Sequence, residues 1–258
     1  MQITPDLNFN DNPGTAKKIR VIGLSATIEN YDDFKQWFRV EHDTVFDESY
    51  RSTRIDTRIF GYSQATNKMR SNDWIFESSL TAKVTPIIRQ YSAGKPVLIF
   101  CCTRKSCEKT AIKLSMDFTL KPNEQLTNET SKGIDLEHSI RDKTLLTTIK
   151  NRIGIHTAGL CPSDRMLVEQ LFLKREIRFI CTTSTLSQGV NLPAYMVIIK
   201  GTKHFIDSGL EDYDPSSILQ MQGRAGRPQF EKEGICVIMT ERENVKKITN
   251  IIHHSEPI

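Results

Sequence analysis

The stretch Val97-Leu98-Ile99-Phe100-Cys101-Cys102 decides the fold of this chain. It is a continuous apolar run, preceded by Gly94-Lys95-Pro96 and followed by polar residues from Thr103 onward. A run of this length and composition is typical of a strand that is covered on both faces, as in parallel sheets packed between helices. The sequence therefore predicts a strand of an α/β fold at this position.

Helical and strand-like segments alternate on both sides of this run. Helices are predicted at 30–38, 75–91, 106–118, 135–150 and 163–174, and from Asp214-Pro215, a good N-cap followed by a good first helical residue. The segment 44–62 is predicted to be extended, and strands are predicted at 18–24, 153–156, 177–182, 196–200 and 234–239. This alternation implies a mostly parallel sheet flanked by helices, with ligand-binding loops at the carboxyl ends of the strands.

Composition limits the class of protein without naming it. With 38% hydrophobic and 26% charged residues, the 258 residues suit one or two soluble globular domains. The net charge of +4 permits a nucleic-acid partner without requiring one. No apolar run approaches the roughly 18 residues of a bilayer span, so no membrane partner is expected. The six cysteines include no Cys-x-x-Cys pair, which favours buried free thiols over a metal site.

Two arginines stand three residues apart in Gln220-Met221-Gln222-Gly223-Arg224-Ala225-Gly226-Arg227. A guanidinium group forks onto phosphate oxygens and stabilises the charge that develops during phosphoryl transfer. The sequence contains no Gly-x-x-x-x-Gly-Lys-Ser/Thr loop, and its nearest candidate, Gly94-Lys95-Pro96, has proline in place of the hydroxyl. The arginine pair therefore suits the terminal phosphate of a nucleotide that another surface holds.

Polar groups follow three of the predicted strands. Hydroxyl groups and a glycine cluster in 182–193, where they could grip a nucleic-acid backbone or simply form a polar connection. Thr103-Arg104 precedes a helix, which suits either an anion site or ordinary capping beside a solvated charge. His156 opens a third such segment, and a lone histidine at a strand end is more often structural than catalytic.

Five segments, in order, resemble the conserved motifs of helicase superfamily 2: Leu24-Ser25-Ala26-Thr27, Val97-Leu98-Ile99-Phe100, His156-Thr157-Ala158-Gly159-Leu160, the run 182–193 and the arginine segment 220–227. Asn191 and Gln220 resemble the superkiller-type group, since DEAD-box proteins typically have aspartate and histidine there. Lys203-His204-Phe205 and Gly209-Leu210-Glu211-Asp212-Tyr213 resemble in particular the Mer branch of meiotic crossover DNA helicases, with the spliceosomal unwindases as near cousins.

The resemblance implies a domain organisation and an activity. Residues 1–62 would be the end of a first RecA-like domain and a linker, and 63–258 a second RecA-like domain. The full-length protein would be a nuclear, ATP-dependent, 3′-to-5′ DNA helicase of meiotic recombination, using ATP with Mg²⁺. Its partners would be nucleic acid, DNA rather than RNA, and the first domain with its phosphate loop and Asp-Glu-x-His box. The chain alone is expected to bind no nucleotide tightly and to turn over no ATP.

The resemblance also assigns roles to single residues. Arg224 and Arg227 would be catalytic arginine fingers, and Gln220 would contact the nucleotide phosphates. Gly189 and Asn191 would line the nucleotide cleft and couple it to the strand. The remaining assignments are a nucleic-acid surface (Thr103, Arg104, His156, Gly159, Ser184 and Thr185) and a coupling motif (Ser25, Ala26 and Thr27).

Three other functions stay open at this point. The chain could come from an RNA helicase of the spliceosomal-unwindase type, because contacts to a phosphate backbone carry no base information. It could be a module that binds nucleic acid or a partner without turnover. A plain nucleotide-binding α/β domain is a third class, but it predicts a glycine-rich turn after the first strand, and none is present.

Overall fold

A six-stranded parallel sheet forms the centre of the protein. The structure is a computed structural model that describes residues 31–40, 43–44, 50, 53–63, 73–127, 135–184, 186, 192–206, 209–226 and 231–253. Its strands are β1 (Arg54–Tyr62), β2 (Val97–Cys101), β3 (Ile153–His156), β4 (Phe179–Thr182), β5 (Met196–Lys200), β6 (Lys203–Ile206), β7 (Gly209–Asp212) and β8 (Glu233–Glu241). The sheet order is β1-β8-β5-β2-β4-β3 with every neighbouring pair parallel, and β6 and β7 form a separate antiparallel pair. The predicted α/β class is confirmed.

Helices connect and cover these strands. They are α1 (Tyr31–Trp37), α2 (Asp73–Tyr91), α3 (Arg104–Asp117), α4 (Leu136–Ser139), α5 (Lys143–Ile149), α6 (Pro162–Leu173), α7 (Pro215–Gln222) and α8 (Val245–His253). Short 3₁₀ helices occur at Pro122–Glu124 and Arg242–Asn244. Within these described residues, no helix is both long and apolar enough to cross a membrane.

The central strands are buried on both faces, which explains why their sequences are mostly apolar. Every residue of β2, β4 and β5 is buried. Leu98 on β2 and Ile198 on β5 are 0% exposed, and helices α2 and α3 contact this part of the sheet. Because both faces exclude water, no position of the run 97–101 can carry an exposed polar side chain.

The first strand of the sheet corrects the predicted domain boundary. Residues up to 62 are predicted from the sequence to belong to a preceding domain and linker, but β1 pairs in parallel with β8 along its whole length, from Arg54 with Glu233 to Tyr62 with Glu241. The strand is half-exposed because it lies at the edge of the sheet, so its own residues give little sign of their partner. The sheet of this domain therefore includes the residues from Arg54 to Tyr62.

The helix predicted at 135–150 is in fact two helices, α4 and α5. Asp142 is extended and caps α5, accepting a hydrogen bond from Leu145 N at 2.7 Å. The buried carboxylate of Asp164 accepts bonds from Arg141 N at 3.2 Å and from Asp142 N at 3.0 Å, which binds the extended turn to α6. The antiparallel strands β6 and β7 and helix α8 are not predicted from the sequence.

A buried ion pair joins β5 to α2. Lys200 is 0% exposed, and its Nζ lies 3.1 Å from Oε2 of Glu77 and 2.8 Å from Oγ1 of Thr81. The hydroxyl of Ser106 donates to the same carboxylate at 2.9 Å, so α3 is tied to the pair as well. All six cysteines are free thiols, and five are buried while Cys161 is partly exposed, which confirms the predicted buried thiols at those five.

Candidate nucleotide and nucleic-acid sites

Three of the predicted nucleic-acid loops leave the sheet at the same edge. Thr182 at the end of β4 is in register with Phe100 of β2 and with His156 of β3. We call this the carboxyl edge, and the opposite one, where the strands begin, the amino edge. The segments beginning at Thr103, Thr157 and Thr183 therefore start side by side, as parallel strands require. Thr185 lies outside the described residues.

Arg104 and Gly159 form the contact between two of these loops. Thr103 caps α3 by accepting a hydrogen bond from Ser106 N at 3.0 Å, and Arg104 is the exposed first residue of the helix. A Cβ atom added to Gly159 would lie 3.1 Å from Cδ of Arg104 and 3.3 Å from its Nη1. Since Gly159 has no side chain, the guanidinium group can lie across its backbone and stay accessible to an anion.

His156 is buried rather than presented to a ligand. It is 5% exposed, and its Nε2 lies 2.7 Å from Oε1 of Glu169 on α6. Its carbonyl oxygen accepts a hydrogen bond from the Thr182 hydroxyl at 2.7 Å, while Nδ1 is buried without a partner in the described part of the chain. The assignment of this side chain as a direct nucleic-acid contact is therefore corrected: His156 positions the loop that follows it.

Ser184 is engaged by Tyr213. Burial raises the pKa of the Tyr213 hydroxyl, which is hydrogen-bonded to Ser184. Tyr213 also stacks on the His204 ring of the β6–β7 hairpin, with ring centroids 4.9 Å apart, and its N–H donates to Thr202 O at 2.9 Å. Ser184 is thus linked to the segment that opens α7, a connection that the sequence analysis did not foresee.

The arginine segment lies at the amino edge, away from these loops. The Arg224 carbonyl accepts from Ala194 N at 3.0 Å, Gly226 N donates to Ala194 O at 2.7 Å, and Ala225 forms an isolated parallel bridge with Ala194. Because Ala194 precedes β5, this segment borders the beginning of that strand. The expectation that ligand-binding loops lie at the carboxyl ends of the strands therefore does not hold for this segment. The reason is that α7 runs back across the sheet from Tyr213.

Two glycines allow the arginine segment to approach the sheet closely. Gly226 has φ of +87°, a conformation that favours glycine, and an added Cβ there would collide with Cγ2 of Thr53. A Cβ on Gly234, at the start of β8, would lie 2.6 Å from Cα of Gly226. The backbone after Arg224 is therefore held against β8 and against the residue that precedes β1.

Arg224 itself is half-buried, and partial burial lowers the pKa of its guanidinium group. The group nevertheless stays charged, because an arginine pKa lies far above neutral pH. Gln220 is half-buried in the last turn of α7, four residues before it. A charged, partly desolvated arginine is suited to bind a phosphate group.

Seven of the predicted site residues lie outside the described residues: Ser25, Ala26, Thr27, Thr185, Gly189, Asn191 and Arg227. In the described part of the chain, no group of three or more His, Cys, Asp or Glu side chains could hold a metal ion.

Comparisons with known proteins show which proteins the chain resembles. Residues 125–229 match the family described as the helicase conserved C-terminal domain. The chain is 39% identical to the ATP-dependent DNA helicase homolog MER3 of Arabidopsis thaliana over 97% of its own length, and 39% identical to ATP-dependent DNA helicase MER3 of Saccharomyces cerevisiae over 93%. It is 36% identical over 89% to the human probable ATP-dependent DNA helicase HFM1.

The chain therefore contains a helicase conserved C-terminal domain, the domain expected from its resemblance to helicase superfamily 2. It is similar to the MER3 and HFM1 helicases along almost its whole length. It spans about a fifth of the length of these curated relatives: 22% of the Arabidopsis, 20% of the yeast and 16% of the human protein.

Proposed function

We propose that this chain is the second RecA-like half of the motor of an ATP-dependent DNA helicase that acts in meiotic recombination, with 3′-to-5′ polarity. The similarity to MER3 and HFM1 helicases supports the activity and the DNA substrate. The proposal assigns residues before Arg54 to the link with the first RecA-like domain. That domain would supply the phosphate loop and the ligands of Mg²⁺.

The observation that carries the proposal is the position of helix α7 between two different surfaces. Its capping residue Asp214 directly follows Tyr213, which bonds Ser184 at the carboxyl edge, and its last turn leads to Arg224 at the amino edge. One eight-residue helix thus connects a surface suited to a nucleic-acid backbone with an arginine suited to a nucleotide phosphate. A motor needs such a connection, because a phosphate contact must change the grip on the strand.

The chemistry assigned to this half is charge stabilisation. ATP held by the first domain would present its terminal phosphate to Arg224 and Arg227, and the guanidinium groups would stabilise the charge that develops as the phosphoryl group is transferred. Gln220 would help to orient the phosphates. At the other edge, Arg104 and the neighbouring backbone would hold a single strand without reading its bases.

A pair of measurements tests the proposal. Joined to a complete first domain, the protein should hydrolyse ATP when single-stranded DNA is added and should unwind a duplex with a 3′ tail better than one with a 5′ tail. The chain alone should bind single-stranded DNA in a salt-dependent way and release no phosphate. Preference for an RNA-tailed duplex would support the spliceosomal-unwindase alternative, and steady turnover by the chain alone would contradict the assignment of the phosphate loop to another domain.

The proposal includes a nuclear location. A fluorescent fusion of the full-length protein should concentrate in the nucleus of meiotic cells. A cytoplasmic signal throughout meiosis would remove the recombination role while leaving the helicase activity open.

A further inference from the structure

The extended turn between α4 and α5 is held in place by a buried acid. Asp164 is 0% exposed, and its two carboxylate oxygens accept hydrogen bonds from Arg141 N and Asp142 N at 3.0 to 3.2 Å. A buried carboxylate is costly unless hydrogen bonds compensate for its lost hydration. The contact therefore stabilises one particular backbone position for Arg141.

This position is at the carboxyl edge, just beyond the edge strand β3. Asp164 lies in the first turn of α6, which begins at Pro162, immediately after the segment 157–160 that contains Gly159. Helix α5 starts next to the clamped turn and ends before β3, so the turn and the end of β3 lie at the same side of the sheet. Arg141 thus lies at the same edge of the sheet as Arg104 and Gly159, farther along that edge and beyond β3.

Around this turn, arginine groups lack partners among the described residues, whereas the nearby carboxylates are already engaged. The side chain of Arg141 is exposed and forms no ion pair within the described residues. Arg165, one residue after Asp164, has a buried Nε without an acceptor in the described part of the chain. The nearby carboxylates are engaged: Asp142 caps α5, Glu169 binds His156 and Asp164 binds the turn.

We propose that Arg141 is a further phosphate contact, and that the nucleic-acid surface continues from Arg104 past β3 onto the turn between α4 and α5. Asp164 is the positioning residue, because it fixes the backbone from which Arg141 projects. The inference rests on the proposed nucleic-acid surface and extends it by one guanidinium group. Its ligand is the sugar–phosphate backbone of a single strand, so base sequence should matter little.

The test measures binding of the purified chain to fluorescent single-stranded DNA over a range of salt concentrations. Arg141→Ala should weaken binding several-fold and lower the slope of log affinity against log salt by about 0.7, the value for one phosphate contact on a single strand. The matched control is Arg178→Ala, which removes the same charge from an exposed arginine at the amino edge, just before β4. The control should bind as the parent does.

Strand length supplies a second readout. Because Arg141 lies at the far end of the nucleic-acid surface, the loss in Arg141→Ala should grow as the strand is lengthened, whereas the loss in Arg104→Ala should already be present with short strands. Asp164→Asn should weaken binding in the parent and cause no further loss in Arg141→Ala. Thermal unfolding checks that these variants are folded. If Asp164→Asn does not fold, Arg141→Ala still tests the proposal.

The outcomes separate the two proposals. If Arg104→Ala weakens binding and Arg141→Ala behaves as Arg178→Ala does, the extension past β3 is wrong and the nucleic-acid surface stands. If neither arginine matters, or the chain binds no single strand at low salt, the proposed surface itself fails.

Discussion

The side chain of Arg104 lies across the backbone of Gly159. A Cβ atom at residue 159 would lie only 3.1 Å from Cδ of Arg104, so any side chain there would press on the arginine. This contact joins the loop after β2 to the loop after β3 over the intervening strand β4. It makes the arginine's position depend on a residue 55 positions away in the chain.

Gly159→Ala should therefore disturb binding rather than folding. The added methyl group displaces Arg104 by a few tenths of an ångström, so affinity for single-stranded DNA should fall by a small factor, while the free energy of unfolding changes by less than about 0.5 kcal/mol. The two effects should not add: in an Arg104→Ala background, Gly159→Ala should cost nothing further. Equal losses in both backgrounds would show that the methyl group acts by another route.

Arg227→Lys should abolish ATP hydrolysis and leave nucleic-acid binding intact. In a protein that includes the first domain, the loss of ATP hydrolysis should be on the order of 10³-fold or more, because lysine keeps the charge and loses the fork. Affinity for nucleic acid should be nearly unchanged. Arg242→Lys, the same change at an exposed residue after β8, is the control. A loss of activity below about tenfold would mean that Arg227 is not an arginine finger.

Gly226→Ala should destabilise the protein more than Gly94→Ala. Both glycines have positive φ, +87° and +74°, but only Gly226 has a neighbour, Thr53, where the methyl group would go. The left-handed conformation alone costs about 1 to 2 kcal/mol, and the overpacking at Gly226 should add about 1 to 3 kcal/mol in urea unfolding. Thr53→Ser, which deletes the colliding methyl group, should recover part of the extra loss. Equal losses of stability at the two glycines would mean that the backbone around Gly226 shifts to accommodate the added methyl group at no cost.

Lys200→Met should be strongly destabilising because it leaves Glu77 buried without its cation. Glu77 is 8% exposed, and removing one partner of such a pair costs about 3 to 5 kcal/mol. Adding Glu77→Gln should restore most of the stability, since glutamine can still bond the Ser106 hydroxyl. Urea unfolding of the single and double variants checks this, and a single variant as stable as the parent would contradict it.

The capping residue of α7, Asp214, should make the free energy of unfolding depend on pH in the acidic range. Burial raises the pKa of Asp214, but hydrogen bonds from the Ser216 and Ser217 hydroxyls and from Ser217 N–H lower it more, so the net shift is downward. A lowered pKa in the folded state stabilises the fold above the ordinary carboxyl pKa of about 3.9, and this contribution is lost as the pH falls through the lowered value. The stability difference between the parent and Asp214→Asn should therefore be constant near neutral pH and shrink below about pH 4. A difference that persists unchanged in acid would show that the Asp214 charge does not contribute.

Local pattern was sufficient for the elements that are buried along their whole length. The strands at 97–101, 153–156 and 196–200 were predicted correctly because a strand covered on both faces consists mainly of apolar residues. Elements at the edge of the sheet or at the surface were harder to predict from the sequence. β1 is half-exposed, β6 and β7 are short, and Asp164 breaks the predicted helix 135–150 from a distance of more than 20 residues.

The sequence by itself determined the class of fold and predicted the superfamily and the arginines that would meet phosphate, because these depend on residue types at fixed spacing. Only the tertiary structure decided how these residues are distributed in space. It buried His156 against Glu169, engaged Ser184 with Tyr213, and placed Arg224 at the edge opposite to Arg104. The physical reason is that contacts between segments far apart in the chain depend on the order of strands and the direction of helices, which residue spacing does not encode.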